Sequence, residues 1–206
     1  VDGVFYPCLP YNLNENLSDN HYNCPVVAYY PEVLEANVKA LRDVKFIYDY
    51  LGIHRRKDFT KKFHAVLEKN FGGVKLSDVT SAVNAAYDEY DKHMQQVRLE
   101  GRKYLRIAKQ ENKPIIVLAG RPYHLDLETN HGINKLICDL GAVVVTEDSV
   151  SDMAKHVDTK VLNQWMYHSR MYAAAQYVAD EQDPNLNLVQ LVSFGCGVDA
   201  VTTDEV

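Results

Sequence analysis

In the C-terminal half of the chain, hydrophobic residues fall in short unbroken runs separated by segments of helical spacing. Ile115-Ile-Val-Leu-Ala119, Val143-Val-Val-Thr146 and Leu188 to Val192 lack the alternation of a half-exposed strand, which predicts strands covered on both faces. Between them, Asn130 to Leu140, closed by Gly141, and Val161 to Ala179 read as helices. Strand, helix, strand, helix, strand with short connections is the signature of a parallel sheet with right-handed crossovers. The fold predicted is therefore α/β, a parallel sheet flanked by helices of the Rossmann or flavodoxin-like kind.

The N-terminal half is less regular. Val4-Phe-Tyr6 and Val26-Val-Ala-Tyr29 are short apolar pieces joined by an Asn/Asp-rich connection, Asn12 to Asn23. Pro31-Glu32 is expected to open a helix over Val33 to Arg42, and Val44 to Tyr48 a short strand. A helix from Asp58 to Asn70 should end at Gly72-Gly73. From Ser77 onward, Val83, Tyr87, Tyr90, Met94, Val97, Gly101, Tyr104 and Ala108 recur at spacings of four and three, one apolar stripe on a single long helix. The organisation expected is a smaller α/β part over 1–76, a connecting helix over 77–112 and a parallel α/β domain over 113–206.

Charge and composition narrow the partners. The 206 residues carry 22 basic and 28 acidic side chains, a net charge of -6, which offers no footprint for nucleic acid or an anionic membrane. No apolar run is long enough to span a bilayer and no signal-peptide pattern opens the chain, so a cytoplasmic protein, or a segment of a longer one, is expected. Four cysteines are too few for a disulfide scaffold and are better read as metal-binding or catalytic.

Candidate chemistry collects after the strands. The first strand leads into Gly120-Arg-Pro-Tyr-His124, the second into Glu147-Asp-Ser149, and the third into Ser193-Phe-Gly-Cys-Gly197. Parallel strands put these loops at one edge of the sheet, where open α/β folds bind ligands. Cys8, Cys24 and Cys196 all lie in Pro- or Gly-flanked loops, whereas Cys138 sits within a helix and is expected to be a packed thiol. Three loop thiolates suffice for a four-iron cluster with one iron open or otherwise ligated, although spacing does not choose iron-sulfur over zinc. His124, Asp126 and His131 form an alternative, zinc-like set.

Five stretches, in order, carry a resemblance: Phe5-Tyr-Pro-Cys-Leu-Pro-Tyr11; Asn23-Cys-Pro-Val-Val27 with Tyr30-Pro-Glu32; Leu118-Ala-Gly-Arg-Pro-Tyr-His124 with Asn130-His-Gly132; Thr146-Glu-Asp-Ser149; and Ser193-Phe-Gly-Cys-Gly197. Together they resemble the 2-hydroxyacyl-CoA dehydratase and activase-related family of anaerobes. The resemblance implies loop cysteines holding oxygen-sensitive iron-sulfur clusters. It also implies an ATP-hydrolysing activase that passes a low-potential electron to a dehydratase, which removes water from a 2-hydroxyacyl-CoA through a ketyl radical. Carried onto this chain, Cys8, Cys24 and Cys196 are the cluster ligands, with a 4Fe-4S cluster the first choice. Arg121, Tyr123, His124 and Glu147 would line the site and serve the reaction. The chain has no glycine-rich phosphate loop, so ATP belongs to a partner activase domain or subunit; an acyl-CoA substrate and a dimer are further expectations. A reductase driven by ATP-derived electrons is the close relative of this reading. A metal-free regulatory module, docking on the activase through the long helix and the basic run His54-Arg-Arg-Lys57, is the alternative from a different class, and a zinc hydrolase is the third.

Overall fold

The computed structural model describes residues 2–206, and the chain divides into two units: residues 2–16 with Asn20–Tyr90, and Leu17–Asp19 with Asp91–Val206. In the first unit, β1 (Gly3–Phe5) is followed by α1 (Pro25–Asn37), a 3-10 turn (Lys39–Asp43), β2 (Lys45–Ile47) and α2 (Arg56–Phe71). β1 and β2 are parallel, with Gly3 opposite Lys45 and Phe5 opposite Ile47. The ladder continues past both strands: the Cys8 N–H donates to the Asp49 carbonyl at 3.0 Å and the Leu51 N–H to the Cys8 carbonyl at 2.9 Å. Ile47, Leu51 and Val66 form the core, closed by Leu9, Phe59 and Phe63.

Helix α1 starts earlier than its sequence suggests. Pro25 takes the first-turn position expected of Pro31, because its fixed φ and missing N–H suit a helix start. Pro31 is instead buried inside the helix, where it can give no N–H to the carbonyl four residues back. The piece Val26 to Tyr29 is thus helical, and the helix ends at Asn37, five residues short of the expected Arg42.

The long helix forms as its stripe predicts, as α3 (Leu76–Gln110). Val83 and Met94 are buried, as are Leu105 and Ala108, whereas Tyr104 on the same stripe is exposed. In the first unit the Tyr87 hydroxyl donates to the Ile53 carbonyl at 2.6 Å, which holds the segment before α2.

The second unit continues through β3 (Ile115–Ala119), α4 (Ile133–Asp139), β4 (Val143–Thr146), α5 (Glu147–Val150), α6 (Met166–Glu181), β5 (Leu186–Gln190) and α7 (Gly197–Glu205). The three strands are parallel in the order β4-β3-β5. Val117 is paired with Val145 on one side and Leu188 on the other. Ile115 and Val117 are fully buried in a core with Leu105, Ala108, Val145, Val150, Ala174, Tyr177 and Leu186. Each such aliphatic side chain contributes roughly 1.5–3 kcal/mol by leaving water.

Element boundaries move where apolar runs outlast the ladder. β5 is shifted two residues toward the N-terminus of its expected span, because pairing with Ile115 to Ala119 uses Leu186 to Gln190 and leaves Val192 half exposed. Residues 161 to 165 precede α6 instead of opening it: the Asn163 side chain turns to bond the Leu17 carbonyl at 2.9 Å and accepts from the Ser169 hydroxyl at 2.6 Å. α4 is confined to Ile133–Asp139, and Cys138 is exposed instead of packed, since the short helix turns that face to solvent. Among the described residues, no helix is long and apolar enough to cross a membrane.

Candidate functional site

In the second unit the carboxyl ends of β3 and β5 lie side by side, and their loops meet. β3 delivers Gly120 and Arg121 into a 3-10 turn, Pro122–Leu125. Gly120 is required by close approach, since a Cβ there would stand 2.8 Å from His124 Nδ1. β5 runs through Leu191 to Gly195, and Cys196 caps the start of α7.

Arg121 joins the two loops. Its guanidinium Nη2 donates to Cys196 Sγ at 2.7 Å and ion-pairs with Asp199 Oδ1, while Nη1 donates to the Tyr123 hydroxyl at 3.1 Å. Asp199, one turn into α7, also accepts the Ser193 N–H at 2.8 Å and lies 3.4 Å from His168 Nε2 of α6. The Arg121 and Asp199 side chains are only 13% and 4% exposed, so this pair is shielded from solvent screening. Ser193 then links Tyr123, whose hydroxyl it contacts, with His124 Nε2 at 3.1 Å.

Protonation states follow from these contacts. Burial pushes the Asp199 carboxyl up, but the Ser193 N–H, the Arg121 charge and the bonds from Arg121 and His168 outweigh it and hold the group below the ordinary carboxylate range. Burial and the Arg121 charge push His124 and His168 down, against the attraction of Asp199. Both imidazoles are therefore neutral at pH 7. His124 Nδ1 accepts the Arg121 N–H at 3.1 Å, which assigns the ring proton to Nε2 and makes that nitrogen a donor to Ser193 Oγ. Arg121 is held firmly in its charged form: burial opposes the charge, but the Cys196 and Asp199 contacts prevail.

Arg121, Tyr123, His124 and Cys196 thus lie in one hydrogen-bonded group. Glu147 is the first residue of α5, at the end of β4 on the other side of β3, and is 1% exposed. Asp126 accepts the Glu128 and Thr129 N–H groups at 3.0 Å each, and His131 is exposed with a φ of 54°. Asp199 and His168 are functional candidates that sequence reasoning passed over, and Ser193, named there only as the start of the third loop, joins them. Asp199 carried a signal, an acid in the first turn of a helix beginning just after Cys196; a lone histidine inside α6 carried none.

The other loop cysteines belong to the first unit. Asn23 ties their segments together, its N–H donating to the Pro10 carbonyl at 3.0 Å and its side chain to the Leu9 carbonyl at 2.9 Å. The Asn12 amide donates in turn to Asn23 Oδ1 at 3.0 Å, a buried pair. Cys24 is half-buried at the N-terminus of α1. Cys8 is fully buried, and burial with the Glu32 and Asp49 charges pushes its thiol up against an opposing Glu32 N–H. Among the described residues, no three His, Cys, Asp or Glu side chains are gathered to hold a metal ion. The donor chemistry of Cys24 and Cys196 does suit thiolate ligation, because each stands at a helix N-terminus, and Cys196 also has a guanidinium N–H on its sulfur.

Fold and site define an α/β protein with a thiol and guanidinium paired at the carboxyl edge of a parallel sheet. The chain belongs to the family described as CoA enzyme activase uncharacterised domain, whose family model matches residues 1–150. The match takes in Cys8, Cys24, Arg121, Tyr123, His124 and Glu147; Ser193, Cys196 and Asp199 lie beyond it. Among curated proteins and solved structures nothing matches the chain.

Proposed function

We propose that the chain is the iron-sulfur component of a 2-hydroxyacyl-CoA dehydratase and activase-type system, with its working site at the Arg121 and Cys196 edge of the sheet. The observation that carries this reading is the Arg121 Nη2 to Cys196 Sγ contact of 2.7 Å in a protein of the CoA enzyme activase family. Cys196 would be the ligand at this edge, with Cys8 and Cys24 the candidate ligands of the first unit, and a 4Fe-4S cluster would supply a low-potential electron for dehydration or reduction of an acyl-CoA. Arg121 donates to the ligand sulfur and favours the more negative, reduced state. Asp199 holds that guanidinium in place and balances its charge. His124 and Tyr123 present a neutral N–H and a phenol beside Ser193, groups suited to a polarised acyl carbonyl. ATP hydrolysis belongs to a partner activase.

Anaerobic reconstitution of the full chain with iron and sulfide tests the reading. About four irons and four sulfides per chain are expected, with charge-transfer absorption that disappears in Cys196→Ser. Arg121→Gln should keep the iron but move the reduction potential to a more negative value. Failure to bind iron and sulfide stoichiometrically, or unchanged absorption in Cys196→Ser, overturns it.

A second reading draws on a different surface. Helix α1 exposes Val26 at 62%, Val33 at 49%, Tyr29 at 46% and Tyr30 at 42%, an apolar cover characteristic of a face that meets a partner. In a metal-free docking module, expected to meet the activase through the long helix and the basic run His54-Arg-Arg-Lys57, this face of α1 would add to the docking surface. Capture of the activase by apoprotein, lost in Val26→Asp with Val33→Asp but kept in Cys196→Ser, distinguishes this role from the first.

A further inference from the structure

On the second unit, away from the Arg121 and Cys196 loops, a cavity of about 430 Å³ opens between the last turns of α3, the segment at Met153 and α6. Its size falls within the range of small-molecule sites. The floor is apolar: Leu105 and Tyr177 are each 4% exposed, and Met153 lies against the same core. Three cations of α3 line it, Arg102, Arg106 and Lys109, at spacings of four and three that bring them to one face.

Two of these cations have carboxylate partners. Arg102 pairs at 2.7 Å with Asp152, which Arg98 also approaches at 3.6 Å, and Lys109 pairs with Glu181 at 2.7 Å across to α6. Arg106 pairs with no carboxylate among the described residues. Burial also raises the Tyr177 phenol, so its ring contributes a neutral surface and no competing negative charge. A cation without a counter-charge, flanked by neighbours that already hold carboxylates and set over an apolar floor, is complementary to a molecule with one negative group and a hydrophobic body. A guanidinium presents a planar fork, which matches a carboxylate best.

We infer that this cavity is a binding site for a small monoanionic carboxylate with an apolar body, the body on Leu105, Met153 and Tyr177 and the carboxylate on Arg106. The site is separate from the thiol and guanidinium site, and neither depends on the other.

Fluorescence titration of the full chain with 8-anilinonaphthalene-1-sulfonate, a monoanion with three aromatic rings, tests the site. One saturable site is expected, displaced by 4-phenylbutyrate and not by the uncharged 4-phenylbutanol. Arg106→Gln, on an exposed side chain, should weaken binding by about tenfold, the scale of one charged hydrogen bond, with the circular dichroism spectrum unchanged. Met153→Trp, which fills the cavity, should abolish it. Absence of a saturable site, equal displacement by the alcohol, or binding unchanged in Arg106→Gln or in a folded Met153→Trp overturns the assignment.

Discussion

The Arg121 and Asp199 pair is where single side chains decide most. Both partners are nearly sealed from water, so removing one charge leaves the other buried and uncompensated. Asp199→Asn should therefore destabilise the second unit by about 3 kcal/mol in chemical denaturation. The neighbouring histidines set a second, pH-dependent effect. His124 and His168 have folded-state pKa values below that of an unfolded histidine, so on acidification the unfolded chain takes up protons first. Stability should decline as pH falls below about 6.5, and His168→Gln should make that decline shallower. Asp199 acts lower: its depressed pKa gives stability that is present above the ordinary carboxylate range and lost as pH falls through its folded value. Denaturant midpoints of the three proteins between about pH 4 and 8 check the histidine effect, and extending the series down to about pH 2 checks that of Asp199. Little of this was legible in the sequence. Arg121, Tyr123, His124 and Cys196 stand out as loop residues after apolar runs, but a partner such as His168, from a different element, has no local pattern to reveal it.

At the level of elements, periodicity was readable where an element buries a continuous face. β3, β4 and α3 match their patterns because a run of aliphatic residues or a stripe at helical spacing leaves few alternatives. α1 did not match, because two prolines six residues apart could each open a helix, and tertiary burial of Pro31 settled the choice. α7 was hidden for a different reason: nine residues starting at a glycine and bearing small and β-branched side chains have weak helix propensity. Close packing between elements gives a direct prediction. A Cβ on Gly101 of α3 would stand 2.5 Å from the Ser149 Cβ of α5. Gly101→Val should therefore destabilise by about 1–3 kcal/mol through overpacking, and adding Ser149→Gly should recover part of the loss in thermal melts.

For the whole molecule, the alternation of strands and helices was enough to name a parallel α/β architecture; both units draw on the one helix α3, and the loop around Leu17–Asp19 belongs to the second unit. The exchange between distant segments depends on a few buried amides, among them Asn163, whose side chain looks like any surface asparagine in the sequence.

The strand order β4-β3-β5 sets a timetable as well as a shape. During synthesis β3 can pair with β4 soon after residue 146 emerges, but its other edge stays bare until Leu186–Gln190 exist, and Cys196 follows later still. The sulfur that Arg121 binds thus arrives only after every strand of the sheet, and its anchor Asp199 follows in α7. Pulse-labelled exchange during refolding should show the Val145 amide protected before that of Leu188. A nascent chain that pauses between these stages carries an open strand edge beside a finished half-site, so the interval before Leu186–Gln190 pairs with β3 is when this sheet is most exposed to misassembly.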